Sequence, residues 1–134
     1  MKISASIYSD KKRPLENVIK DLVGHQIDLL HIDCNDDTQV FQDIKDIRSW
    51  CDTPIDLHII TDDPTKFYPL LISQPVEYIT FQYENLAGPL NIPEEITGKK
   101  GLAVTTPTSV DVFEAHNDMD FILIMATEIG RAHV

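Results

Sequence analysis

Two histidines and an aspartate in this chain have the types and spacing to hold a metal ion. The stretch LLHIDCNDD sets His31 and Asp33 two positions apart inside an apolar run, and PIDLHII repeats the device with Asp56 and His58. In an extended strand, residues i and i+2 share a face. His31 and Asp33 therefore point one way while Leu30, Ile32 and Cys34 point the other. Asp56, His58 and Ile60 likewise oppose Ile55, Leu57 and Ile59. Buried acids are costly unless paired or metal-bound. A single buried histidine is ordinarily a satisfied core residue. Two neutral imidazoles and a carboxylate placed alike on adjacent strands instead make a nitrogen/oxygen set of the kind found in catalytic metal sites.

The elements that must position these groups follow from the hydrophobic pattern. Short apolar runs near Lys2–Tyr8, Asp28–Cys34, Pro54–Ile60, Val76–Gln82, Lys100–Thr105 and Met119–Ala126 have the composition of buried parallel strands. Between them, Pro14–Gly24 carries Leu15, Val18, Ile19 and Leu22 at helical spacing, with Pro14 suited to the first turn. Thr38–Trp50 gathers Val40, Phe41, Ile44, Ile47 and Trp50 on one face. Pro64–Gln74 and Ser109–His116 are further expected helices, and Asn85–Gly98, with Pro89 and Pro93, is an expected loop. On the first strand Ser4, Ser6 and Tyr8 oppose Ile3, Ala5 and Ile7, and on the fourth Thr80 and Gln82 oppose Ile79 and Phe81. The strands thus offer one aliphatic face for helices and one face carrying polar groups.

Strand–helix alternation of this kind predicts βαβ units and a parallel sheet. Two architectures remain, an open doubly wound sheet and a (β/α)8 barrel. No GxGxxG or GxxxxGK[ST] follows the first strand, which removes the main support for a nucleotide-binding open sheet. In a barrel the polar face is the interior and chemistry sits at the C-terminal ends of the strands.

Bulk properties narrow the function classes. The 134 residues suffice for one domain with a real core. A formal net charge of −11 argues against nucleic acid or an anionic membrane as partner, since both call for clustered Lys and Arg. A phosphorylated substrate stays open, because backbone N–H groups can hold phosphate. Cys34 and Cys51 form neither a CxxC pair nor a zinc-ribbon spacing, as expected in a reducing compartment. No apolar run suits a signal peptide or a membrane span, so the expected location is the cytoplasm.

The last residues, EIGRAHV, follow FILIMAT directly and coincide with one translated frame of a common sequencing adapter. The expectation is a native coding sequence cut near Thr127, with residues 1–127 a partial barrel domain and 128–134 a non-native tail. Arg131 and His133 are accordingly not read as ligands.

The segments ISASIYSD, LLHIDCNDD, PIDLHII, EYITFQYE, KGLAVTTPTSV and MDFILIMA occur in the order and at about the spacing of the ribulose-phosphate 3-epimerase family, which the chain resembles up to Thr127. The H-x-D and D-x-H pieces are the most specific. The resemblance implies a (β/α)8 TIM barrel of the ribulose-phosphate-binding type, here incomplete, with about the first six strands. It implies inversion at carbon 3 of a ketopentose phosphate, ribulose 5-phosphate to xylulose 5-phosphate or a close analogue, by 1,1-proton transfer through an enediolate. By the same resemblance His31, Asp33 and His58 are ligands of a divalent metal (Zn, Fe, Mn or Co), Asp33 is an acid/base residue, and Ser6, His58 and Met125 lie at the substrate. The complete protein could be a homo-oligomer.

A metal stabilises the charge that develops when the proton alpha to the ketone leaves, and inversion needs a second acid on the opposite face. In the family that second aspartate follows the seventh strand, so these 134 residues are expected to be inactive alone, with exposed sheet edges limiting solubility. Departures lie around the ligand core. V-M-D-G is replaced by Cys34-Asn35-Asp36-Asp37, a methionine two residues past the third-strand histidine is Ile60, and a frequent H-x-E is Gln82-Tyr83-Glu84. The fifth-strand loop K/N-P-x-T reads Thr105-Thr106-Pro107-Thr108. They put the identity of the sugar in question more than the reaction type. The orotidine-phosphate decarboxylase group needs D-x-K-x-x-D, and HIDCNDD has no lysine. A degenerate barrel that binds sugar phosphate without turnover is the alternative of a different class.

Overall fold

Residues 2–105 and 119–125 are described by a computed structural model. Six parallel strands form a single sheet in strict sequential order: β1 (Ser4–Ser6), β2 (Leu29–Asn35), β3 (Ile55–Ile60), β4 (Tyr78–Gln82), β5 (Lys99–Thr105) and β6 (Phe121–Met125). That order decides between the two architectures. A doubly wound sheet reverses direction at a switch point in its strand order, whereas here every strand lies beside its predecessor, as in an incomplete (β/α)8 barrel.

The helices fall where the apolar spacing puts them. α1 (Leu15–Gly24) buries Val18 and Ile19, and α2 (Val40–Trp50) buries Val40, Phe41, Ile44 and Ile47. The expected third helix is instead a 3-10 turn over Pro64–Phe67 followed by a short α3 (Tyr68–Ser73). Pro69 explains the break, because it has no N–H to bond the carbonyl four residues back. Asp63 caps the turn, its side chain accepting from the Thr65 N–H at 3.1 Å. The expected loop after β4 opens with one 3-10 turn, Tyr83–Asn85. The helix expected over 109–116 and the tail 128–134 lie outside the described residues.

The core sits between the sheet and its helices. Leu30, Ile32 and Cys34 of β2, Ile55, Leu57 and Ile59 of β3, and Ile79 and Phe81 of β4 are all fully buried on the aliphatic face. Each such side chain contributes about 1.5–3 kcal/mol by leaving water. A register slip of one residue would exchange this face for the polar one, so the burial of these alternate residues fixes where His31, Asp33 and His58 point.

The lower ends of the strands are tied as well. Arg48, at the end of α2, donates to the Thr53 and Pro75 carbonyls at 3.2 and 3.1 Å and to Glu77 at 2.9 Å. The same Glu77 oxygen accepts the Ile55 N–H at 2.7 Å, joining the starts of β3 and β4. Gly98 enters β5 with φ +97, where a Cβ would collide with the Val76 carbonyl. None of the described helices is long and apolar enough to cross a membrane.

Candidate metal centre

β2 and β3 pair in a continuous parallel register that sets His31 opposite Asp56 and Asp33 opposite His58. On the flanks Ser6 of β1 stands opposite His31, and Thr80 of β4 opposite His58. The four charged or titratable groups therefore form two rows on the polar face, with a carboxylate and an imidazole in each.

Asp33 is the meeting point. Its Oδ1 lies 2.9 Å from His31 Nε2 and 3.3 Å from His58 Nδ1. His31 Nδ1 faces Asp56 Oδ2 at 3.0 Å, so both of its ring nitrogens address carboxylates. The hydrogen bond to Asp33, and after it the one to Asp56, raise the His31 pKa to about 9 against the desolvation of its site. The same contacts, first with His31 and then with His58, hold the Asp33 carboxyl well below the usual carboxylate range. His58 is buried, and its Nε2 stands 2.8 Å from Gln82 Oε1.

The donor set fits a divalent transition metal. One donor atom from each of His31, Asp33 and His58 lies within 4.8 Å of the others. Donors about 2.1 Å from a common ion, at angles of roughly 90–110°, stand about 3.0–3.4 Å apart. The 2.9 and 3.3 Å separations around Asp33 are already close to that spacing. Two imidazoles and a carboxylate suit Zn, Fe, Mn or Co better than Ca or Mg, which favour all-oxygen shells.

Asp33 also opens onto a cavity of about 460 Å³ at the C-terminal ends of β1 and β2, within the range of small-molecule sites. Ser6, Tyr8, Lys11, Asn35 and Asp43 line it beside Asp33. Tyr8 donates to Asp43 at 2.6 Å, which ties the end of β1 to α2 and closes one wall. Burial, and then that hydrogen bond, push the Tyr8 phenol well above its ordinary pKa.

Residues 2–132 match the model of the ribulose-phosphate 3 epimerase family. The chain belongs to the ribulose-phosphate 3-epimerase family. It is 26% identical over 140 residues to the ribulose-phosphate 3-epimerase of Bacillus subtilis (strain 168), covering 97% of this chain and 64% of that protein. It is 27% identical over 113 residues to the ribulose-phosphate 3-epimerase of Aquifex aeolicus (strain VF5), covering 77% of this chain and 51% of that protein. The chain thus spans between half and two thirds of the length of these curated relatives.

Within this family member the residues expected from the sequence come together in part. His31, Asp33 and His58 converge, and Ser6 shares a cavity with Asp33. Met125 ends β6 at the register position opposite Thr105. The loop acids are not ligands of the cluster. Asp36, in a left-handed conformation at φ 59, accepts from Thr61 at 2.7 Å and pairs with Lys66, joining the loops after β2 and β3. Alternation puts Asp56 and Gln82 on the polar face but gives them no neighbour, and their contacts to His31 and His58 emerge only once the strands pair. The signal for Asp56 was available, since aligning H-x-D with D-x-H in parallel register sets each acid against a histidine.

Proposed function

We propose that this chain forms the metal-binding part of an epimerase that inverts carbon 3 of a ketopentose phosphate, ribulose 5-phosphate or a close analogue. One observation carries the reading: His31, Asp33 and His58 present three donors around a single point, and Asp33 opens from that point into the cavity. A divalent ion bound there would neutralise charge building on the substrate's carbonyl and hydroxyl oxygens as the adjacent proton leaves.

The protein's own groups account for the remaining steps. Asp33, kept ionised chiefly by the His31 imidazole beside it, accepts the C3 proton on one face of the sugar. His31, 2.9 Å from Asp33, steadies that carboxylate, and Ser6 borders the sugar from β1. Asp33, Asp37 and Asp43 line the cavity together with Lys11. Such a wall disfavours a phosphate, so it receives the hydroxylated end of the substrate and the phosphate lies away from it. Asp33 is one carboxylate of the pair that inversion requires, and residues 1–134 alone are expected to bind metal without turnover.

The test uses two polypeptides. This chain is titrated with Zn²⁺, Mn²⁺ and Co²⁺ by calorimetry, and the complete reading frame containing it is assayed with ribulose 5-phosphate for xylulose 5-phosphate formation and for deuterium uptake at C3. Metal binding by the chain, with epimerisation by the longer protein that Asp33→Asn abolishes, is the expected result. Metal and sugar-phosphate binding without turnover by the longer protein would establish the binding-only alternative. Full activity after thorough metal removal would overturn the assignment of the site.

A further inference from the structure

A polar chain runs from the metal cluster across β4 to β5. His58 Nε2 meets Gln82 Oε1 at 2.8 Å, Gln82 Nε2 donates to Glu84 Oε1 at 2.8 Å, and Glu84 Oε2 accepts the Thr105 N–H at 3.0 Å and its hydroxyl at 3.2 Å. The direction of every bond in it follows from the donor inventory. An ionised Glu84 can only accept, so the Gln82 amide must turn its NH2 toward Glu84. Its carbonyl oxygen then faces His58, and an acceptor there requires a hydrogen on Nε2. The lone pair is left on Nδ1, the nitrogen that faces Asp33.

We propose that Gln82 is a positioning residue that fixes His58 in its Nε2–H tautomer, with Glu84 setting the orientation of the Gln82 amide. The proposal rests on the metal reading above for its purpose, although the hydrogen-bond logic does not need a metal. Two features make the arrangement necessary. Asp33 Oδ1 competes for a proton on His58 Nδ1 from 3.3 Å, and without a partner at Nε2 the ring would donate to Asp33 and lose its ligand lone pair. Gln82 and His58 are both buried, so water does not readily replace the amide. His31 has its own counterpart in Asp56, at 3.0 Å from Nδ1. A partner on the outward nitrogen of each ligand histidine is the general means of orienting such ligands, and its loss typically weakens metal binding roughly 10–100-fold.

The experiment reads the tautomer and the metal separately. Long-range ¹H–¹⁵N spectra of the metal-free chain, at a pH where the His58 ring is neutral, report which nitrogen carries the hydrogen. Calorimetry or the visible spectrum of Co²⁺ reports affinity and ligand geometry. The wild type is expected to show a protonated Nε2 and an unprotonated Nδ1. Gln82→Leu should move the hydrogen toward Nδ1 and weaken metal binding roughly 10–100-fold. Glu84→Ala frees the amide to rotate and should give a mixture of tautomers.

The double exchange Gln82→Glu with Glu84→Gln keeps an acceptor against Nε2 and a donor beside it, at unchanged charge. It should restore both the tautomer and the affinity, which a purely structural role would not require. A wild-type ring carrying its hydrogen on Nδ1 would overturn the proposal. So would a Gln82→Leu protein whose tautomer is unmoved, or one whose tautomer shifts without loss of affinity. If the tautomer follows Gln82 but no variant binds a divalent ion, the positioning stands and the metal reading falls.

Discussion

Replacing Asp33 with asparagine in the metal-free chain isolates the charge that holds the cluster together. Asp33 is the larger cause of the raised His31 pKa and Asp56 the smaller, so the variant keeps one carboxylate on the ring and loses the other. The interval from an ordinary 6.5 to about 9 would be worth about 3 kcal/mol at 1.36 kcal/mol per pH unit. Exposure reduces that figure, because the Asp33 side chain is 42% accessible and the His31 side chain 25%. Screening leaves about 1–2 kcal/mol.

The sign follows from linkage. A histidine whose pKa is raised by folding contributes its full stabilisation below its unfolded value near 6.5 and loses it as pH climbs through about 9. Asp33 reports the same pair from the acid side, where stabilisation present above the ordinary carboxylate value of about 4 fades as pH falls below it. Urea unfolding of the wild type should therefore show stability declining between pH 6.5 and 9, with a shallower decline in Asp33→Asn. In NMR titrations the His31 ring should titrate near 9 in the wild type and about one unit or more lower in the variant. A wild-type His31 titrating at 6.5, or one indifferent to the substitution, would refute the reasoning.

Two further outcomes are expected. Saturating Zn²⁺ or Co²⁺ at about 100 times Kd should stabilise the chain by about 2.7 kcal/mol, seen as a higher Tm that a chelator reverses; His58→Ala should lose most of that gain, and an equal shift in the variant would remove His58 from the ligand set. Arg48→Met breaks three side-chain hydrogen bonds joining the end of α2 to the starts of β3 and β4. The expected cost is about 1–2 kcal/mol by urea denaturation, with metal affinity unchanged because the tie lies at the opposite end of the strands; a stability equal to wild type would mean that the ties contribute nothing net.

Alternation in the sequence carried the placement of the ligands a long way. Once Leu30, Ile32 and Cys34 must be buried, His31 and Asp33 have only the other face to occupy, and the core of the structure obeys this without exception across β2 and β3. Sequential apolar runs also foretold six parallel strands, and the strand order then removed the doubly wound alternative. Less was legible where local chemistry overrides periodicity, as at Pro69, which divides the expected third helix. Contacts between strands were the least legible, since periodicity assigns a face but not a neighbour.

Gln82 illustrates why a neighbour matters more than a face. By type it is a neutral amide, and nothing in its alternation with Phe81 distinguishes it from a solvated barrel-interior residue. Its meaning arises only when β3 and β4 are brought together and His58 Nε2 meets its carbonyl oxygen. On the proposed reading the candidate metal site is three residues whose protons are set by their neighbours. Asp56 addresses the outward nitrogen of His31, Gln82 that of His58, and Asp33 joins the inward nitrogens of both. Two nitrogen lone pairs and a carboxylate turned toward one point repel one another unless a cation lies among them. In the metal-free chain a proton on His31 would supply that cation, and the direction of the His31 pKa shift and the donor geometry both favour a positive charge at that point.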